Sequence, residues 1–301
     1  MHAKSTRRAS RKLQTPHDNC NLKNLMINIP DPLSEAAKWL LDADGLLVTA
    51  GAGMGVDSGL PDFRGTDGFW RAYPALGKQG IRFQDIANQA AFSENPRLAW
   101  GFYGHRLQLY RDTQPHDGFK ILQHLARPMK NGLFVFTSNV DGGFQKAGFS
   151  EQRISECHGS IHHLQCLESC TEDIWSAEGL QVDVDCESGL LTSALPTCPH
   201  CGALVRPNVL MFNDASWQSA RADRQHDALE RWLAGVERPV VIELGAGTAI
   251  PSVRRMSESI GAPLLRINPT APEVRGANAI GIAGGALTTL KELHVFIEQL
   301  S

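Results

Sequence analysis

LLVTAGAGMG (residues 46–55) is the stretch on which the fold turns. Residues 46–50 are a short apolar run that stops at Gly51, the pattern of a strand buried on both faces and ending in a turn. Four more runs, at 133–136, 240–244, 264–267 and 279–282, read the same way. Helical patterns lie between them, at 33–42, 96–110, 118–125, 221–233, 252–260 and 287–300. Strands alternating with helices predict an α/β protein with a doubly wound, Rossmann-like parallel sheet.

The segments at the strand ends are as regular as the strands themselves. GAGMG comes after the first, TSNVDG after Phe136, CHG after residues 153–156, GAGT after Leu244 and NPT after Ile267. Ligands of open α/β sheets bind outside the carboxyl ends of the strands, so these five segments are expected to line one crevice. Two stretches break the pattern: 66–101 is helix-and-loop in character, and 160–206 carries cysteine pairs but no long helix. They are expected to form a smaller domain, a helical insertion plus a zinc-ribbon module. The sheet domain then comprises 25–65, 102–159 and 207–301, and a basic tail occupies 1–24.

Composition narrows the class. With 42% hydrophobic and 20% charged residues the chain can bury a sizeable core, and no apolar run approaches the length of a bilayer span. A formal charge of −3 argues against a whole-protein nucleic-acid field, although residues 1–24 hold six Lys or Arg against one Asp. That tail reads as a solvated extension, with a mitochondrial transit peptide as the alternative. Seven cysteines, four of them in two tight pairs, point to metal ligation in a reducing compartment, and a cytoplasmic location is expected. Oligomeric state has no signal in the sequence.

Cys166-x3-Cys170 and Cys198-x2-Cys201 can supply four thiolates to one tetrahedral ion, with no position left open for catalysis. A structural zinc is therefore expected. Cys186, His162, His163 and His200 offer no better set, and Cys157 reads as packing. Gly51-Ala52-Gly53-Met54-Gly55 can present backbone N–H groups and a helix N-terminus to a diphosphate. Taken alone it is also compatible with a plain glycine-rich turn, because Val56 stands where the usual dinucleotide fingerprint has its third glycine.

The complete segment GAGMGVDSGLPDFRG (51–65) resembles the first NAD-binding motif of the sirtuin family. The resemblance continues through TSNVDG (137–142), His158-Gly159, the cysteine pairs and Ile267-Asn268, in the family's order. It implies an NAD-dependent protein-lysine deacylase that consumes NAD and releases nicotinamide and O-acyl-ADP-ribose. The implied cofactor contacts are Gly51, Ala52, Gly53, Asp62, Phe63, Arg64, Ser138, Asn139, Val140, Asp141, Gly245, Gly247, Thr248 and Asn268. Asn139 and Asp141 would line the nicotinamide pocket. His158 would be the base that takes a proton from a ribose hydroxyl, after the acyl oxygen has attacked the ribose carbon to give an alkylimidate.

Val209, Leu210, Met211 and Phe212 occupy the place of the family's extended segment, which receives substrate peptide as an added strand. Tyr103 and Arg106, three apart on one helix face, resemble the Tyr-x-x-Arg pair by which one sirtuin class holds succinyl- or malonyl-lysine. The competing reading makes Tyr103 core and Arg106 solvated. Three departures from the family stand out: Ser138 replaces its Gln, Gly245-Ala246-Gly247-Thr248 replaces its Gly-Thr-Ser turn, and Phe212-Asn213-Asp214 replaces its Phe-Gly-Glu. They keep open an ADP-ribosyltransferase or NAD hydrolase, and, in another class, an NAD- or ADP-ribose-binding regulator.

Overall fold

A computed structural model describes residues 31–61 and 65–300. The tail 1–24 and the expected cofactor contacts Asp62, Phe63 and Arg64 lie outside the described residues. Among the described residues nine strands run in chain order: β1 (Gly45–Ala50), β2 (Leu133–Thr137), β3 (Ile154–Glu156), β4 (Gly159–Cys166), β5 (Trp175–Ser176), β6 (Val205–Val209), β7 (Pro239–Leu244), β8 (Leu264–Ile267) and β9 (Ala279–Ile282). Six form a parallel sheet in the order β3-β2-β1-β7-β8-β9, which is the doubly wound order with β4, β5 and β6 set aside. Strand order reverses between β1 and β7.

Alternation along the strands sorts the side chains into two layers. Leu46, Val48 and Ala50 join Val240, Ile242 and Leu244 on the face covered by helices Pro32–Asp42, Gly118–Ala126 and Ala286–Leu300. Leu47, Val241, Phe134 and Phe136 point the other way, under helices Ala220–Leu233 and Ser252–Ser259. Thr49 shares that second face and meets Ser257 across it, with their hydroxyls 2.8 Å apart. Each of the five expected strands and six expected helices is present, displaced at its ends by no more than two residues.

One expectation is sharpened and one is corrected. The helical segment expected after β1 is a 3-10 helix, Ala52–Ser58. Gly53, Gly55, Asp57 and Ser58 are poor helix formers, and the turn is pressed against a neighbour, which favours the tighter winding. β9 is not fully buried: it is the edge strand, and Gly281 is exposed.

The three-stranded antiparallel sheet β5-β4-β6 and the helices between residues 65 and 112 share a third apolar cluster. The long helix Pro96–Asp112 belongs to it. Asn95 caps that helix through a bond from Leu98 N–H to Oδ1 (3.2 Å), and Pro96 fills the first turn, where no N–H is needed. Trp100, Phe102, Tyr103 and Leu107 are buried along it, and Trp100 Nε1–H donates to the carbonyl of Val205 at 2.9 Å, tying the helix to β6.

At the reversal point the turns after β1 and β7 touch backbone to backbone. Gly53 N–H donates to Gly245 O at 3.1 Å, and a Cβ on Gly245 would lie 2.4 Å from Gly53 Cα. Gly245 also has φ +58, in the left-handed region. Gly245→Ala therefore combines backbone strain with overpacking, and is expected to lose about 2–5 kcal/mol in urea unfolding with an unchanged m value. A variant as stable as the parent would show that the contact is not tight.

Candidate active site

The five strand-end segments line one cavity of about 740 Å³. Gly51, Ala52 and Gly53 form one wall, with Gly245, Ala246, Gly247 and Thr248 beside them and Asn268 behind. Asn268 Nδ2–H donates to Ala246 O (2.9 Å), while its Oδ1 accepts from Thr270 N–H (3.1 Å) and Ala271 N–H (3.0 Å). One buried amide thus shapes both the turn after β7 and the turn after β8.

The opposite wall is the corner after β2. Thr137 hydroxyl donates to Ala50 O (2.9 Å) and accepts from Asn139 N–H (3.0 Å), and Asn139 Nδ2–H donates to Gly51 O (3.0 Å). These bonds lock Ser138, Asn139 and Val140 against the first glycine turn. Asp141 accepts from Gly143 N–H at 2.7 Å, and its carbonyl accepts from His162 Nε2–H at 2.9 Å. Burial raises the Asp141 pKa, with Glu156 adding to it and Gly143, His162 and Arg106 opposing. His162 thus braces the corner through the Asp141 backbone.

His158 stands on the same cavity, between β3 and β4. Its carbonyl accepts from Leu210 N–H (2.9 Å), so the chain leaves for β4 and returns from β6 at this residue. Gly159 has φ +76, and a Cβ there would meet Asn208 O at 2.1 Å, so both conformation and space require glycine. Burial holds the His158 imidazole below the usual histidine pKa, opposed by a backbone hydrogen bond at Ser138. A neutral imidazole at neutral pH can accept a proton.

Val209, Leu210, Met211 and Phe212 border the cavity next to His158. Phe212 N–H donates to Ala87 O (2.9 Å) and Met211 N–H to Asp214 Oδ2 (3.2 Å), so three successive N–H groups are engaged within the chain. Asn213 takes the left-handed conformation, φ +53, which asparagine tolerates better than other residues with a side chain. Asp214 forms a fully buried pair with Arg206 through bonds of 2.7 and 2.8 Å. Phe-Asn-Asp therefore makes a tight, anchored turn of its own. The Arg206–Asp214 anchor has no short-range signal in the sequence.

Tyr103 and Arg106 both reach the cavity, and both are buried. Tyr103 is core as well as cavity wall, and burial pushes its phenol up to about 12. Arg106 is not solvated: its guanidinium lies 5.3 Å from the centres of the Phe102 and Tyr110 rings and 5.8 Å from that of Tyr103. Tyr110, one turn on, escaped the sequence reading although it lies on the same helical face. Its hydroxyl accepts from Arg106 Nε (3.0 Å) and Nη2 (2.7 Å), and it too borders the cavity. Phe83 and Ile250 are further wall residues without a motif to announce them.

The four cysteines gather away from this cavity. Cys166 and Cys201 sulfurs are 3.7 Å apart, Cys170 and Cys198 3.6 Å, and all four lie within 4.8 Å of one another. Zinc–sulfur bonds of about 2.3 Å in a tetrahedron place the sulfurs about 3.8 Å apart, so the set fits a structural zinc. Cys157 is removed from such chemistry, since burial pushes its thiol up to about 12.

Known proteins share both the motifs and the architecture. A profile of the Sir2 family matches residues 51–231. A protein named NAD-dependent protein deacylase from Aquifex aeolicus is 28% identical over 258 residues, covering 84% of this chain and 95% of its own. Another of that name, from Pyrococcus furiosus, is 34% identical over 185 residues, covering 61% and 66%. A solved Sir2 homologue–NAD complex is 25% identical with TM-score 0.66, over 88% of this chain and 94% of that one.

Two expectations arise from the geometry. The His158 ring should titrate in NMR below the ordinary value of about 6.5, since burial disfavours its charged form. By linkage it then lowers stability as pH falls from the unfolded value toward the folded one; a midpoint at or above the ordinary value would contradict the buried setting. Separately, stripping the four-cysteine ion with a chelator should lower Tm and expose Trp175 fluorescence. An unchanged melt in the verified ion-free protein would mean that the module holds itself together.

Proposed function

This chain belongs to the Sir2 family, and we propose that it is an NAD-dependent protein deacylase acting on acylated lysine, with a preference for short acidic acyl groups. The observation that carries the reading is the single cavity that joins both glycine turns, the Ser138–Asn139–Asp141 corner, His158, and the buried Tyr103–Arg106 pair. NAD, when bound, supplies a ribose carbon made electrophilic by departure of nicotinamide.

The chain's own groups divide the remaining work. The two glycine turns would hold the dinucleotide through Ala52 and Gly247, beside Thr248 and Asn268, while the N–H groups of Gly51, Gly53 and Gly245 stay engaged with Leu244, Gly245 and Ile267 and fix the shape of the turns. Asn139 and Asp141, fixed by the bonds to Gly51 and Gly143, form the nicotinamide corner and exclude water from it. His158, neutral through burial, accepts the ribose hydroxyl proton. The segment from Val209 to Phe212 positions the substrate backbone. Because the N–H groups of Leu210, Met211 and Phe212 are engaged, its recognition rests on carbonyls and side-chain surface.

Arg106 and Tyr103 offer a cation and a hydroxyl at a place with little water, where a charge-assisted bond to a carboxylate is strong. Tyr110 holds the guanidinium in orientation. Among the described residues no helix is long and apolar enough to cross a membrane, and a four-cysteine cluster that fits zinc supports a reducing compartment such as the cytoplasm.

The test is a panel of acetyl-, malonyl- and succinyl-lysine peptides with NAD, monitoring nicotinamide and acyl-ADP-ribose. Release should depend on acylated peptide and favour the acidic chains, and His158→Ala should abolish turnover while NAD still binds. Arg106→Met should lower succinyl turnover about 10–100-fold with acetyl turnover little changed, and Tyr110→Phe should raise the succinyl KM about 5–10-fold. Nicotinamide release at the same rate without peptide would replace the deacylase with an NAD hydrolase, and an unchanged acyl preference in Arg106→Met would remove the acidic-acyl assignment.

A further inference from the structure

A second cluster of metal-type ligands lies away from both the cavity and the cysteines. His294 and Glu298 are four apart on helix Ala286–Leu300, a spacing that stacks two side chains on one face. His124, in the last turn of helix Gly118–Ala126, faces them from the packed neighbour. His124 Nε2 is 3.4 Å from Glu298 Oε1, and the two imidazole rings lie 4.8 Å apart at 72°. One ligand atom from each of the three residues falls within 4.8 Å of the other two.

His294 Nδ1 is the second observation. That atom is buried and has no hydrogen-bond partner among the described residues, an unfavourable state for a ring nitrogen that an ion bound through it would relieve. Nitrogen and oxygen ligands about 2.0–2.1 Å from a four-coordinate zinc stand about 3.4 Å apart, which is the separation already present between His124 and Glu298.

We propose that His124, His294 and Glu298 form a second metal site, taking a borderline divalent transition ion, zinc foremost, with solvent completing the coordination. Two imidazoles and one carboxylate suit zinc, nickel or cobalt and are a poor set for calcium or magnesium. The ion would staple the C-terminal helix to helix Gly118–Ala126. Both helices also reach the 3-10 turn beside the cavity: Leu287 N–H donates to Asp57 Oδ2 (2.8 Å), and His116 Nε2–H donates to Met54 O (2.9 Å) while its Nδ1 accepts from Gly118 N–H (3.0 Å).

The molecule contains its own control. His226 and Glu230 are also four apart on one helix and 3.4 Å from each other, but among the described residues they have no third ligand. The experiment starts from full-length protein carrying one equivalent of zinc on its four cysteines, and titrates it with zinc chloride by calorimetry and thermal melting. The parent should take up a second equivalent and gain about 2–6 °C in Tm. His124→Asn and Glu298→Gln, both at well-exposed side chains, should each weaken that step at least 10-fold and keep the first equivalent. His226→Asn should leave it intact. The proposal fails if no second equivalent binds, if it survives the double variant His124→Asn with Glu298→Gln, or if His226→Asn removes it as well.

Discussion

The backbone contact between Gly53 and Gly245 sets the geometry of everything that borders the cavity. Two strands of a parallel sheet run side by side, and the turns at their ends would diverge to opposite faces at the point where strand order reverses. Here they are held together by the Gly53 N–H to Gly245 O bond, with no room for a side chain on either residue. Asn139 then fastens the turn after β2 to Gly51, and Asn268 fastens the turn after β8 to Ala246. Four strand ends become one rigid rim through three short polar links. Because the donors and acceptors are backbone or side-chain amide groups that do not titrate, the rim is indifferent to pH.

Onto that neutral rim the chain places few charges, and burial tunes them. Asp141 is pushed up and His158 down, so both move toward their uncharged forms as water is excluded. Arg106 stays cationic among three aromatic rings and the Tyr110 hydroxyl. The cavity therefore combines one buried cation, Arg106, with an acid and an imidazole that burial moves toward neutrality.

The sheet was legible because each of its inner strands is a compact apolar run ended by glycine or a polar turn, and the cavity because those turns carry the polar residues. Side-chain alternation hid what two apolar runs contained. Arg266, inside LLRI, is buried against Glu243 of β7 through bonds of 2.6 and 2.9 Å, a pairing visible only once β7 and β8 are neighbours. The trio His124, His294 and Glu298 was hidden for the same reason, its members lying on two helices, whereas Tyr110, four residues from Arg106 on one helix face, and Arg206 with Asp214, eight residues apart across a turn, carry no motif that marks them.

The insertion of β4, β5 and β6 between β3 and β7 also governs the order in which the molecule can assemble. Gly45 pairs with Pro239, so the central strand waits through about 190 residues of synthesis before its second neighbour exists. Loop closure over such a distance is slow, and local helices and the antiparallel β4–β6 pair, closed over a much shorter segment, can form earlier. The two glycine turns meet only when β7 docks. A nascent or partly folded chain can thus possess a complete cysteine module and a half sheet while lacking the dinucleotide rim, so a ligand that bridges the rim acts on the last step of folding and leaves the earlier ones untouched.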